Sequence, residues 1–168
     1  RGLDAFALKD KIEPGPYKTI ASQQDNSSFD TPYAYISKWN SVDDVAYLSY
    51  LLQKKIKVRF SEKPFTIGVK NFAPGSLIIT RAGNEKITDF DSILKTASIK
   101  FDRKITEVSS GLVSKGPDLG SAKIHYLKAP KIALLTGEGV SAEGFGSIWH
   151  FFEQQIRYQV TILDTSYF

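Results

Sequence analysis

The chain has 168 residues, 42% of them hydrophobic and 24% charged, which is ordinary for a globular domain with a real core. Its net charge of +4 is spread over scattered lysines, and it contains no cysteine. That excludes a disulfide framework, a cysteine zinc site and a cysteine nucleophile, and no apolar run approaches the roughly 20 residues that span a bilayer.

The sequence opens at Arg1 with no initiator methionine and no signal peptide, and is expected to be a piece of a longer protein. Residues 1–30 have little periodicity. Pro14-Gly15-Pro16 and the polar run Ser22 to Ser28 predict a linker or irregular segment, with the folded domain over 31–168.

Pro32 to Lys38 reads as a strand. Ser41-Val-Asp-Asp44 is a capping-box pattern, and Val42, Val45, Leu48, Leu51 and Leu52 give the helix that follows an apolar stripe. Ile56 to Phe60 alternates as a strand does, so strand, helix and strand make a first βαβ unit. Lys54, Lys55, Lys57 and Arg59 form the one short basic cluster. A nucleic-acid site wants a denser basic face interleaved with aromatics, so this cluster reads as a solvated helix C-terminus, and no nucleic-acid partner is expected.

Pro64 to Thr80 is β-like, with Phe65, Ile67 and Val69 alternating and turn signals at Lys70-Asn71 and Pro74-Gly75. It predicts a small antiparallel excursion returning to a buried strand at Leu77 to Ile79. Thr88-Asp-Phe-Asp91 is a second capping-box pattern, opening a helix with Phe90, Ile93, Leu94 and Ala97 on one face. Strands follow at Ile105 to Val108 and Lys123 to Leu127, separated by loops at Ser109-Ser110-Gly111 and Gly116 to Gly120.

The run from Pro130 to Leu163 carries the most information. An apolar strand enters a glycine loop, the loop opens an amphipathic helix, and the helix leads to a second apolar strand at Val160 to Leu163. This is a βαβ unit of an α/β domain, and open α/β sheets bind ligands at such loops. Gly137, Gly139, Val140 and Ser141 are therefore the candidate ligand-binding residues, their backbone N–H groups facing an anion at the helix N-terminus. The spacing is not Gly-x-Gly-x-x-Gly, because Ala142 stands at the third glycine position. A tight strand-to-helix turn with Ser141 as N-cap accounts for the same residues.

His150-Phe-Phe-Glu153 has the His-x-x-Glu spacing of two zinc ligands, since positions three apart share a helix face. A catalytic zinc needs a third protein ligand, and the one other histidine is His125. Trp149, Phe151 and Phe152 predict a packed helix with His150 and Glu153 at its margin, and no metal ligand is assigned. Asp43-Asp44 and Asp89-Asp91 fall in first helical turns, where they complement the helix dipole. There is no Gly-x-Ser-x-Gly elbow, and no catalytic residue is assigned.

Several segments resemble the C-terminal region of large bacterial zinc carboxypeptidase-like proteins. They are Ala34-Tyr-Ile-Ser-Lys-Trp39, Lys63-Pro-Phe-Thr, Phe72-Ala-Pro-Gly-Ser76, Gly116-Pro-Asp-Leu-Gly-Ser121, Ala129-Pro-Lys-Ile-Ala-Leu-Leu-Thr-Gly-Glu-Gly-Val-Ser141 and Ile148-Trp-His-Phe-Phe-Glu153. The resemblance spans most of residues 32–163. It implies a glutamine-amidotransferase-like, flavodoxin-like three-layer α/β domain with a mostly parallel sheet, C-terminal to a peptidase domain. A doubly wound sheet covers its last strand with a further helix, so the domain is expected to continue beyond Phe168. The resemblance also implies a periplasmic or secreted parent that carries zinc in the peptidase domain. The glutaminase activity is not carried over, because that chemistry uses a cysteine. His150 and Glu153 lie in a different segment from the family's metal motif.

The resulting expectation is a non-catalytic accessory domain that packs on the peptidase domain or binds a ligand or partner. The aromatic content of 12% and the early tyrosines Tyr33, Tyr35, Tyr47 and Tyr50 favour an interaction role. One alternative is a stand-alone hydrolase in which His150 and Glu153 converge with His125 or an aspartate. The other is a phosphate- or nucleotide-binding module built on the loop from Gly137 to Ser141.

Overall fold

A computed structural model describes residues 31–167, so the expected linker over 1–30 lies outside the described residues. The chain begins with β1 (Ala34–Ser37) and α1 (Val42–Gln53). At the start of α1 the Ser41 hydroxyl accepts from the Asp44 N–H, and the Asp44 carboxylate accepts from the Ser41 N–H at 2.8 Å. That is the capping box the spacing predicts. The buried face of α1 is rotated from the predicted stripe: Asp44, Tyr47 and Leu51 are buried, while Val42 is exposed.

Next come β2 (Arg59–Ser61), β3 (Phe65–Ile67), β4 (Lys70–Phe72) and β5 (Leu77–Thr80). The hairpin of β3 and β4 turns at Gly68-Val69, so Lys70-Asn71 is strand rather than the expected turn. Gly68 has φ +58, the sign a type II′ turn requires at its first central residue. Then follow α2 (Phe90–Lys100), β6 (Ile105–Val108) and β7 (Ile124–Tyr126). Thr88 does not cap α2. Asp89 is the N-cap residue, at φ 58 and without a side-chain cap bond. The Asp91 carboxylate instead accepts from the Tyr35 hydroxyl at 2.6 Å and from Arg81 Nη2 at 2.7 Å. Burial pushes that carboxyl up, but the Arg81 and Tyr35 bonds and the Arg81 charge outweigh it and hold it below its ordinary value.

These strands form one five-stranded sheet in the order β6-β1-β5-β2-β7, with every neighbouring pair antiparallel. The mostly parallel, flavodoxin-like three-layer sheet is therefore not the fold. β1 and β2 do point the same way, as a βαβ unit requires, but β5 lies between them. This is a split βαβ topology, the ferredoxin-like pattern, with β7 added at the β2 edge.

β1 and β5 are buried along their whole length, on both faces of the sheet. A strand buried on both faces reads as a continuous apolar run whatever its direction. On one face Tyr35, Leu77 and Ile79 pack with Tyr47 and Leu51 of α1 and Leu94 of α2. On the other, Ala34, Ile36 and Ile78 pack under Phe65 and Phe72 of the hairpin and Leu119 of the loop between β6 and β7.

The C-terminal part is a separate small unit. β8 (Ala133–Thr136) and β9 (Thr161–Asp164) pair in parallel, joined through α3 (Ala142–His150) and a π-helical turn over Phe151–Ile156. Here the predicted strand, helix and strand are present as a true parallel pair. The unit rests on α1, where Ser49 Oγ donates to the Arg157 carbonyl at 3.2 Å and Gln53 Nε2 donates to the same oxygen. Among the described residues no helix is long and apolar enough to cross a membrane.

Candidate functional site

The loop between β8 and α3 holds all four residues expected to bind a ligand. Gly137 has φ +107, and a Cβ there would sit 2.5 Å from Thr165 Oγ1 and 2.8 Å from Asp164 Oδ1. Only glycine lets the loop close so tightly on the end of β9. The Thr165 hydroxyl donates to the Glu138 carbonyl at 3.2 Å, and the Val140 N–H donates to the Gly137 carbonyl at 3.2 Å. Gly139 takes φ +80 in open space. The Ser141 hydroxyl accepts from the Gly144 N–H at 3.2 Å, acting as the N-cap of α3.

The loop is thus closed by its own groups, with the Asp164 carboxylate beside it. Hydrogen bonding from Ser166 holds that carboxyl below its ordinary range, so it is charged at neutral pH. An anion approaching Gly137 meets this negative charge.

The hydrolase alternative needs His150, Glu153 and His125 in one cleft. His125 lies on β7, its Nε2 in close contact with Glu62 Oε1 at 2.8 Å. His150 ends α3 and Glu153 stands in the π-helical turn. Among the described residues no three histidine, aspartate or glutamate side chains are grouped to hold a metal ion.

What the C-terminal unit does present is apolar surface. No residue of α3 is buried, and in the turn after it only Ile156 is. Leu135, Ile148, Trp149, Phe151 and Ile162 are 37–50% exposed. Trp149 and Phe151 are therefore not the packed residues their spacing predicts. The parallel register places Leu134 beside Ile162 and Leu135 beside Leu163, so both faces of the strand pair carry leucine or isoleucine. Parallel strands are ordinarily covered on both faces, and a two-stranded sheet is marginal by itself. Half-exposed apolar side chains gathered on both faces of one small unit point to surface that a partner covers.

The early tyrosines serve a different purpose. Tyr35 and Tyr47 are fully buried core residues, and only Tyr33 of the four reaches substantial exposure. Sequence reasoning missed the exposed surface because apolar residues at strand and helix spacing are most simply read as core. No family model, curated protein or solved structure matches the chain.

Proposed function

We propose that this chain is a non-catalytic accessory domain of a zinc metallocarboxypeptidase-like protein, periplasmic or secreted, that packs on the peptidase domain of the same polypeptide. The docking surface is β8, α3 and β9. The observation that carries the reading is the half-exposed set Leu135, Ile148, Trp149, Phe151 and Ile162 on a parallel strand pair. Covering the exposed half of each is worth about 1 kcal/mol, or about 5 kcal/mol for the five together. That is modest for two free molecules, which need about 8 kcal/mol for micromolar affinity. It suffices for two domains on one chain, where tethering supplies an effective concentration in the millimolar range. The zinc and the bond-breaking chemistry belong to the peptidase domain. The residues of this chain hold and orient that domain.

Hydrogen exchange on the parent polypeptide, in which this domain is tethered to the peptidase domain, compared with this chain alone tests the proposal. Amides of β8, α3 and β9 are expected to exchange at least about tenfold more slowly in the tethered form, and Leu135→Asp or Ile162→Asp, which probe the two faces of the strand pair separately, is expected to remove that protection. Equal exchange in both forms, or protection indifferent to both variants, overturns it.

A further inference from the structure

A cleft of about 320 Å³ opens where α1, α2 and the turn at Arg157 meet. Tyr50 and Phe101 floor it, their ring centroids 5.6 Å apart. Lys54, Lys100 and Arg157 line it, and among the described residues no carboxylate does. The Lys100 ammonium stands 4.7 Å from the Tyr50 ring centroid and 5.5 Å from that of Phe101, and the Lys54 ammonium 5.7 Å from Tyr50. Two ammonium groups are thus gathered about one aromatic ring. The backbone of Arg157 is held at the cleft, its carbonyl accepting from Ser49 Oγ and Gln53 Nε2.

Cations at helix C-termini are commonly explained by the helix dipole, and both α1 and α2 end here. Each helix end supplies about half a negative charge. Against the three cations that leaves an excess of roughly two positive charges, so the dipoles account for only part of the cluster. Like charges brought together repel unless something of opposite sign joins them. The three residues also come from separate parts of the chain, so this is a product of the fold and not of a local basic run.

We propose that this cleft binds a phosphate-bearing anion. Two lysines and an arginine are the side chains that pair with phosphate oxygens, and the tyrosine and phenylalanine rings restrict where the lysines can stand. The source of the phosphate is a small phosphorylated solute or an anionic lipid headgroup, which share this chemistry. The site is distinct from the docking surface on β8, α3 and β9, and its test does not depend on a peptidase partner.

The experiment is a titration of the 168-residue chain with pyrophosphate at low salt, read by backbone amide chemical shifts. Saturable one-to-one shifts centred on residues 50–54, 100–101 and 157 are expected. Lys54→Gln and Lys100→Gln should each weaken binding about fivefold, and Lys100→Arg should restore it. Lys86→Gln, away from the cleft, should change nothing. Co-sedimentation with phosphatidylcholine vesicles containing phosphatidic acid identifies the source: retention that pyrophosphate displaces assigns the headgroup, and pyrophosphate binding without retention assigns a solute. Shifts that never saturate, or an equal loss in Lys86→Gln, overturn the proposal.

Discussion

Two tyrosines in the same core are treated oppositely. The Tyr35 hydroxyl donates to Asp91 at 2.6 Å. The Tyr47 hydroxyl is buried with no hydrogen-bond partner among the described residues, its ring edge-on to Phe101. An unpaired buried hydroxyl costs about 1–3 kcal/mol. Tyr47→Phe removes the hydroxyl and keeps the ring, so it should stabilise the fold by about 1 kcal/mol in urea denaturation. Loss of stability instead would show that the hydroxyl has a partner, such as a buried water. Alkaline pH gives an independent check on the same residue. Burial pushes the Tyr47 hydroxyl well above its ordinary pKa of 10.0. Above about pH 10 the unfolded chain loses that proton while the folded chain keeps it. The folded state then binds more protons, and stability falls as pH rises, by about 1.4 kcal/mol per pH unit for this group. Tyr47→Phe should remove that share of the slope. Tyr35, raised by burial and by its bond to Asp91, keeps a slope of the same sign.

At the scale of the elements, the hairpin of β3 and β4 caps one face of the sheet only because a loop clamps it. Thr66 bridges Lys115, and Gly116 follows at φ +97. A Cβ on Gly116 would lie 2.6 Å from the Pro64 carbonyl oxygen and 2.9 Å from Phe65 Cα. Both atoms are backbone and cannot turn aside. Gly116→Ala should therefore cost about 2–3 kcal/mol, combining the left-handed conformation with the clash. Equal melting temperatures for variant and parent would show that the clamp is not needed. Elements such as α1 with its capping box, and the strand at Ile105–Val108, were legible because their signals are local. The pairing of β5 between β1 and β2 was not, since Leu77-Ile-Ile79 has the same composition in a parallel or an antiparallel setting. The phosphate cleft was hidden for a similar reason. In the sequence Lys54 groups with Lys55, Lys57 and Arg59. In the fold it meets Lys100 and Arg157 instead, while Arg59 stacks 4.2 Å from the Tyr126 ring centroid.

Across the whole molecule, burial is unevenly shared. Both hydrophobic clusters draw their fully buried members from residues between Ala34 and Ile124. Beyond Lys128, Ile156 is the one buried residue among those described. Its burial is worth about 2 kcal/mol, and the bonds from Ser49 and Gln53 to the Arg157 carbonyl add about 1 kcal/mol more. A chain ended at Lys128 should consequently keep a cooperative thermal transition, within about 3 kcal/mol of the full chain. The segment 129–168 alone should show none, because a two-stranded sheet with one helix buries too little to offset its ordering entropy. The reverse outcome, a truncated chain that fails to fold, would mean that the C-terminal unit is integral to the core. The predicted asymmetry bears directly on the docking proposal. A surface on a weakly anchored unit gains the most from being covered. In hydrogen exchange, partner binding should therefore protect amides in β8, α3 and β9 far more than those of β1 and β5, which the core already protects.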